Sequence, residues 1–118
     1  MTLEEMAEEA YRTAESKGFC SNYEGNPDKV YKALALIHGE VSEAVDEYNL
    51  HGLKSYTVKD EQGNDKPEGV AIELADVILR VGNLCYALGI DIQEAVIRKN
   101  AYNKTRPWRH NKPGTGIG

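Results

Sequence analysis

The chain is poor in the residues that build several common kinds of site. Its two cysteines, Cys20 and Cys85, stand far apart and give no metal-ligand spacing. The histidines His38, His51 and His110 form no H-x-x-x-H pair, which argues against a zinc-peptidase helix. No G-x-x-x-x-G-K-[ST] loop is present, so the P-loop manner of holding a nucleotide is absent. No apolar run approaches the roughly 20 residues that span a bilayer. Lys and Arg are never grouped in a block, and the net charge is −5. Long nucleic acid is therefore a poor partner, because phosphate contacts need clustered positive charge. The start, Met1-Thr2-Leu3-Glu4-Glu5, is acidic and lacks the apolar stretch of a secretory signal. These absences lead us to expect a cytoplasmic protein with reduced thiols, Cys85 in its core.

What is present is helical periodicity. The 118 residues fit one small domain, expected to be an all-α bundle of four to five helices. Thr2-x-x-Glu5 is a capping-box pattern that opens a first helix ending near Gly18. Asn26 and Pro27 then read as the cap and first residue of a second helix, running to about Asn49. Its apolar stripe is Val30, Leu34, Ile37, Val41, Ala44, Val45 and Tyr48. A polar segment from His51 to Glu68 follows. It is a long loop or, around Tyr56-Thr57-Val58, one arm of a small hairpin. A third helix is expected from Pro67 or Glu68, with Val70, Leu74, Val77, Ile78, Val81, Leu84, Cys85 and Leu88 inward, stopped by Gly89. Asp91 caps a fourth, which must end before Pro107. From about residue 107 the tail reads as irregular.

Two acidic pairs at one spacing carry the chemistry: Glu40-x-x-Glu43 and Glu73-x-x-Asp76. Residues three apart share a helix face, so each pair offers two carboxylates to one place. Glu40 is expected roughly 80–100° from the centre of its apolar stripe, and the second pair flanks its own stripe on the matching side. Antiparallel packing of the two helices would bring both flanks to one cleft, the geometry of metal sites between bundle helices. Four gathered carboxylates repel unless a cation neutralises them, and an all-oxygen donor set suits Mg²⁺, with Mn²⁺ as a substitute. The alternative is a solvated acidic face, which is how the neighbouring Asp46 and Glu47 read. His38 reads as a hydrogen-bonded residue of the bundle.

The fourth helix continues its apolar face (Ile92, Ala95, Val96) into Lys99, Asn103 and Arg106. Either this end emerges into water, or the two cations meet phosphate oxygens while Asn103 bonds the ligand. Tyr102 and Trp108 offer rings for a base to stack on, or for packing on a neighbouring helix.

These residues carry a family likeness. Gly39-Glu40-Val41-Ser42-Glu43-Ala44 and Ile72-Glu73-Leu74-Ala75-Asp76-Val77 resemble the E-x-x-E…E-x-x-D signature of the MazG-like, all-α nucleoside triphosphate pyrophosphohydrolases. The run from Lys99 to His110, containing Asn103, Arg106 and Pro107, resembles the K-x-x-x-N-x-x-R-P ending of small members. The resemblance spans roughly Asn26 to Lys112, and the spacer between the pairs is longer than in many members. It implies a helical bundle assembled as a homodimer or homotetramer, often with the site near a subunit boundary. It implies Mg²⁺ held by Glu40, Glu43, Glu73 and Asp76, and cleavage of a nucleotide to monophosphate and pyrophosphate. Lys99, Asn103 and Arg106, with Tyr102 and Trp108, are then the substrate contacts. A carboxylate not fully used as a ligand, Glu40 or Glu43, is the expected general base. Two alternatives stay open: a nucleotide-binding regulatory bundle without turnover, and an enzyme like phosphoribosyl-ATP pyrophosphohydrolase.

Overall fold

The computed structural model describes residues 1–18 and 23–107. Four helices, α1 (Leu3–Ser16), α2 (Pro27–His51), α3 (Val70–Ala87) and α4 (Ile92–Thr105), account for most of them. One hairpin, β1 (Tyr56–Lys59) and β2 (Asp65–Glu68), lies between α2 and α3. The broad expectation of a helical fold is met, with the hairpin as the one sheet among the described residues. The third helix begins at Val70, later than expected, because Pro67 and Glu68 belong to β2.

Local chemistry accounts for most of the boundaries. Thr2 and Glu5 form the reciprocal capping box, with bonds of 2.8 and 3.0 Å. Pro27 takes the first position of α2, but the Asn26 side chain makes no capping bond and donates instead to the Glu24 carbonyl. Asp91 caps α4 by accepting from Glu94 N at 3.0 Å. In the hairpin turn, Asp60 Oδ1 accepts from the amides of Gln62 and Asn64, and the strands pair from Tyr56↔Glu68 to Lys59↔Asp65. Gly69 joins β2 to α3 at φ 125°, and a Cβ there would lie 2.7 Å from the Lys54 carbonyl oxygen. Only glycine fits both the angle and the space.

Helix α3 is the central element. α1 and α2 both pack against it and make no backbone approach to one another, while α4 lies against α1 and α3. Close approach of α1 is permitted at Gly82, where an added Cβ would stand 3.1 Å from Ala7 Cα. Ala7, Leu84 and Cys85 form the buried centre of this contact. Cys85 is a free thiol whose pKa is raised by burial, in keeping with its expected place in the core. Cys20 lies outside the described residues. None of the described helices is long and apolar enough to cross a membrane.

The packed face of α2 corrects the expected stripe. The residues turned from solvent are Val30, Ala33, Ile37, Glu40, Ala44 and Glu47, spaced alternately three and four apart. Leu34, Val41, Val45 and Tyr48 are about half exposed, and Tyr31 more so. On α3, Leu74 and Ile78, and Leu88 at its C-cap, are also exposed rather than inward. The apolar pattern of α2 thus merges two faces set roughly 100° apart, because a one-residue offset is one step of the helical turn. Small, buried Ala44 lies on the face turned from solvent, and the bulkier residues stand on the other.

Candidate metal centre

The rotation of α2 carries its acids into the seam with α3. Glu40 is only 9% exposed, the one buried charged residue among those described. Across the seam, Glu73 sits in the first turn of α3, and Asp76 one turn later. One carboxylate oxygen from each of Glu40, Glu73 and Asp76 lies within 4.8 Å of the others. The pairs therefore do not merely flank the core: three of the four acids converge between two helices.

Arg80 supplies the charge that holds this arrangement together. Its Nε donates to Glu40 Oε1 at 2.7 Å. Sequence reasoning missed it, although its position four residues after Asp76 places it on the same face of α3. A lone arginine on a helix is ordinary, so only the cross-helix contact distinguishes it.

The electrostatics show an excess of negative charge. The Glu73 carboxyl is pushed up to about 7, by burial first and then by the nearby Glu43, Asp76 and Glu40 carboxylates. A hydrogen bond between Glu43 and Glu73 exists only while one of them holds a proton. With both ionised, the buried Oε2 of Glu73 has no partner among the described residues. The Asp76 carboxyl is likewise raised, by burial and then the Glu40 charge, with Arg80 pulling it back. Three converging carboxylates with an orphaned buried oxygen fit a hard divalent cation. Glu43 is exposed and stands outside the trio, beside Glu73.

One turn further along α2, Glu47 is not the solvated residue that its surroundings in the sequence imply. Its side chain is 12% exposed and accepts from the Tyr56 hydroxyl at 2.5 and 3.0 Å, with His51 Nδ1 at 3.3 Å. The hydrogen bond to Glu47 pushes Tyr56 up to about 12. This contact ties β1 to α2 and so fixes the hairpin beside the acids. His38 is exposed rather than built into the bundle.

Helix α4 is placed differently from the acids. It makes no contact with α2. Lys99 and Arg106 lie over the Tyr102 ring, at 5.2 and 5.7 Å from its centroid. Asn103 Oδ1 is buried without a partner among the described residues. Among those residues, no hydrogen bond or ion pair joins Lys99, Asn103 or Arg106 to the acids. Trp108 lies outside the described residues. Comparison of the chain with protein-family models, with characterised proteins and with solved structures finds no match.

Proposed function

We propose that the chain is a Mg²⁺-dependent nucleotide pyrophosphohydrolase of the MazG-like kind, cleaving a nucleoside triphosphate to the monophosphate and pyrophosphate. The observation that carries this reading is the convergence of Glu40, Glu73 and Asp76 within 4.8 Å, the Glu73 carboxyl among them being raised to about 7. Such a cluster is costly on its own, and a cation relieves it. The acidic cleft also repels a polyphosphate unless that charge is offset.

In this reading Glu40, Glu73 and Asp76 hold the cation, and Arg80 keeps Glu40 oriented toward it. When bound, the cation supplies Lewis-acid activation and screens the phosphate charge. Glu43, outside the trio, takes the proton of the attacking water as general base. The water oxygen bonds to the α-phosphorus, the α–β bridging bond breaks, and pyrophosphate leaves with the electron pair. Lys99 and Arg106 offset charge on that leaving group.

Those cations do not approach the acids within one chain, so their role requires a second copy. The exposed line Tyr31, Leu34, Val41, Val45 and Tyr48 on α2 shares one helix face, with steps of three, seven, four and three residues and the polar His38 in the gap. Leu74 and Ile78 of α3 are about half exposed as well among the described residues, and large exposed apolar patches commonly mark interfaces. We place a second copy there, as a homodimer or as half of a homotetramer. Sedimentation of the wild type should show it, and Val45→Glu should weaken it. A monomeric wild type at micromolar concentration would reject it.

The functional experiment is incubation with Mg²⁺ and a panel of nucleotides, scored for pyrophosphate. Release by the wild type, lost in Asp76→Asn and Glu43→Gln with the fold retained, is the expected result. Metal and nucleotide binding without release would instead favour a regulatory bundle. Full activity in both variants would reject the site.

A further inference from the structure

The metal reading leaves the space between α1 and α2 unused. Both helices lean on α3 without meeting, and a cavity of about 760 Å³ opens between them. That volume lies within the roughly 300–1,000 Å³ range of small-molecule sites. Small side chains make room in its walls: Ala10 and Ala14 from α1 and Ala33 from α2. Leu36 of α2 and Leu79 of α3 supply broader apolar surface.

The cavity borders the acid cluster. Asp76, one of the three converging carboxylates, lines it, and so does Arg80, which holds Glu40. A molecule whose phosphates sit at the acids therefore has this space available for its other end. Asn83, one turn along α3 from Arg80, is also in the wall. Its amide oxygen is buried and lacks a hydrogen-bond partner among the described residues. An amide carries both a donor and an acceptor, the combination that reads the edge of a base, while apolar side chains hold the faces of its ring.

Resting on the pyrophosphohydrolase reading, we infer that the cavity between α1 and α2 receives the nucleoside end of the substrate, with Asn83 as the residue that selects the base. The phosphates and the nucleoside then occupy adjoining compartments that share Asp76 and Arg80 as a wall. The polyphosphate compartment is indifferent to the base, and the cavity confers the preference.

The test fills the cavity without touching the acids. Ala33→Phe should raise KM for the preferred nucleoside triphosphate at least tenfold. Its affinity for Mn²⁺, and for inorganic tripolyphosphate in the presence of Mn²⁺, should match the wild type. Asn83→Ala, which makes no new bulk and guards against misfolding of the first variant, should flatten the ranking of bases in the panel. An unchanged KM in folded Ala33→Phe, or an unchanged base ranking in Asn83→Ala, overturns the assignment of the cavity while leaving the metal site standing. Equal losses for nucleotide and tripolyphosphate in Ala33→Phe overturn it as well. Failure of the wild type to bind Mn²⁺ is separate: it removes the reading beneath, and the nucleoside assignment with it.

Discussion

Glu73 sets a measurable link between pH, stability and metal. Its carboxyl is raised from 4.5 to about 7 in the folded chain, mainly by burial and then by the Glu43, Asp76 and Glu40 carboxylates. Between those two values the folded protein keeps a proton that the unfolded chain releases. Raising the pH through this window therefore removes stability, which levels off above the folded value. A full conversion of that shift is at most about 3 kcal/mol. Part of the side chain faces water, so screening lowers the expected loss to about 1–2 kcal/mol. Urea unfolding in metal-free buffer, from about pH 5 to about pH 8, measures it as a falling midpoint with constant slope. Glu73→Gln, which cannot ionise, should remove most of that fall and be the more stable protein at the upper end. Mn²⁺ should restore the wild type most at the upper end, where it meets ionised oxygens, and stabilise the Gln variant far less. The comparison isolates Glu73 from Asp76, which shifts in the same direction. A wild-type midpoint that stays level or rises with pH, or a Gln variant with the same slope, refutes the reasoning.

Other consequences follow from the same geometry. Arg80→Ala leaves Glu40 without its partner, and should cost about 1–2 kcal/mol in metal-free urea unfolding. Saturating Mn²⁺ should narrow that gap, and an identical gap in both conditions would show that no cation replaces the arginine. Gly82→Val places side-chain atoms where a Cβ alone already stands 3.1 Å from Ala7 Cα, and should cost about 2–3 kcal/mol in unfolding free energy. Glu47→Gln removes the carboxylate that pushes Tyr56 up to about 12, so the ultraviolet titration of that tyrosine should move back toward 10. Hydrogen exchange of the β1 amides should speed up in the same variant, because the hairpin loses its tie to α2.

Much of the fold was legible because local chemistry dictates it. The Thr2–Glu5 box, Pro27 at a first turn and Asp91 at a cap answer to backbone groups a few residues away. Around Tyr56-Thr57-Val58 the sequence left a long loop and a hairpin arm both open, and the pairing of β1 with β2 decides for the hairpin. The face of α2 was not legible. Its apolar residues fill two adjacent faces, and periodicity averages them into one stripe aimed between the two. Choosing the inner face required knowing on which side of α2 the helix α3 packs. That same choice put Glu40 in the seam and gave Glu47 a partner in Tyr56.

By its residues alone, the chain determined that two helices each bear a pair of carboxylates three residues apart, since helical pitch fixes who shares a face with whom. Tertiary packing decided which acids meet. It joined Glu40 to Glu73 and Asp76, left Glu43 at the edge, brought Arg80 across to neutralise one of them, and kept α4 away from α2. The reason is one of range: a hydrogen-bonded turn is specified by its near neighbours, whereas a cluster of like charges exists only where the burial of distant surfaces outweighs their repulsion.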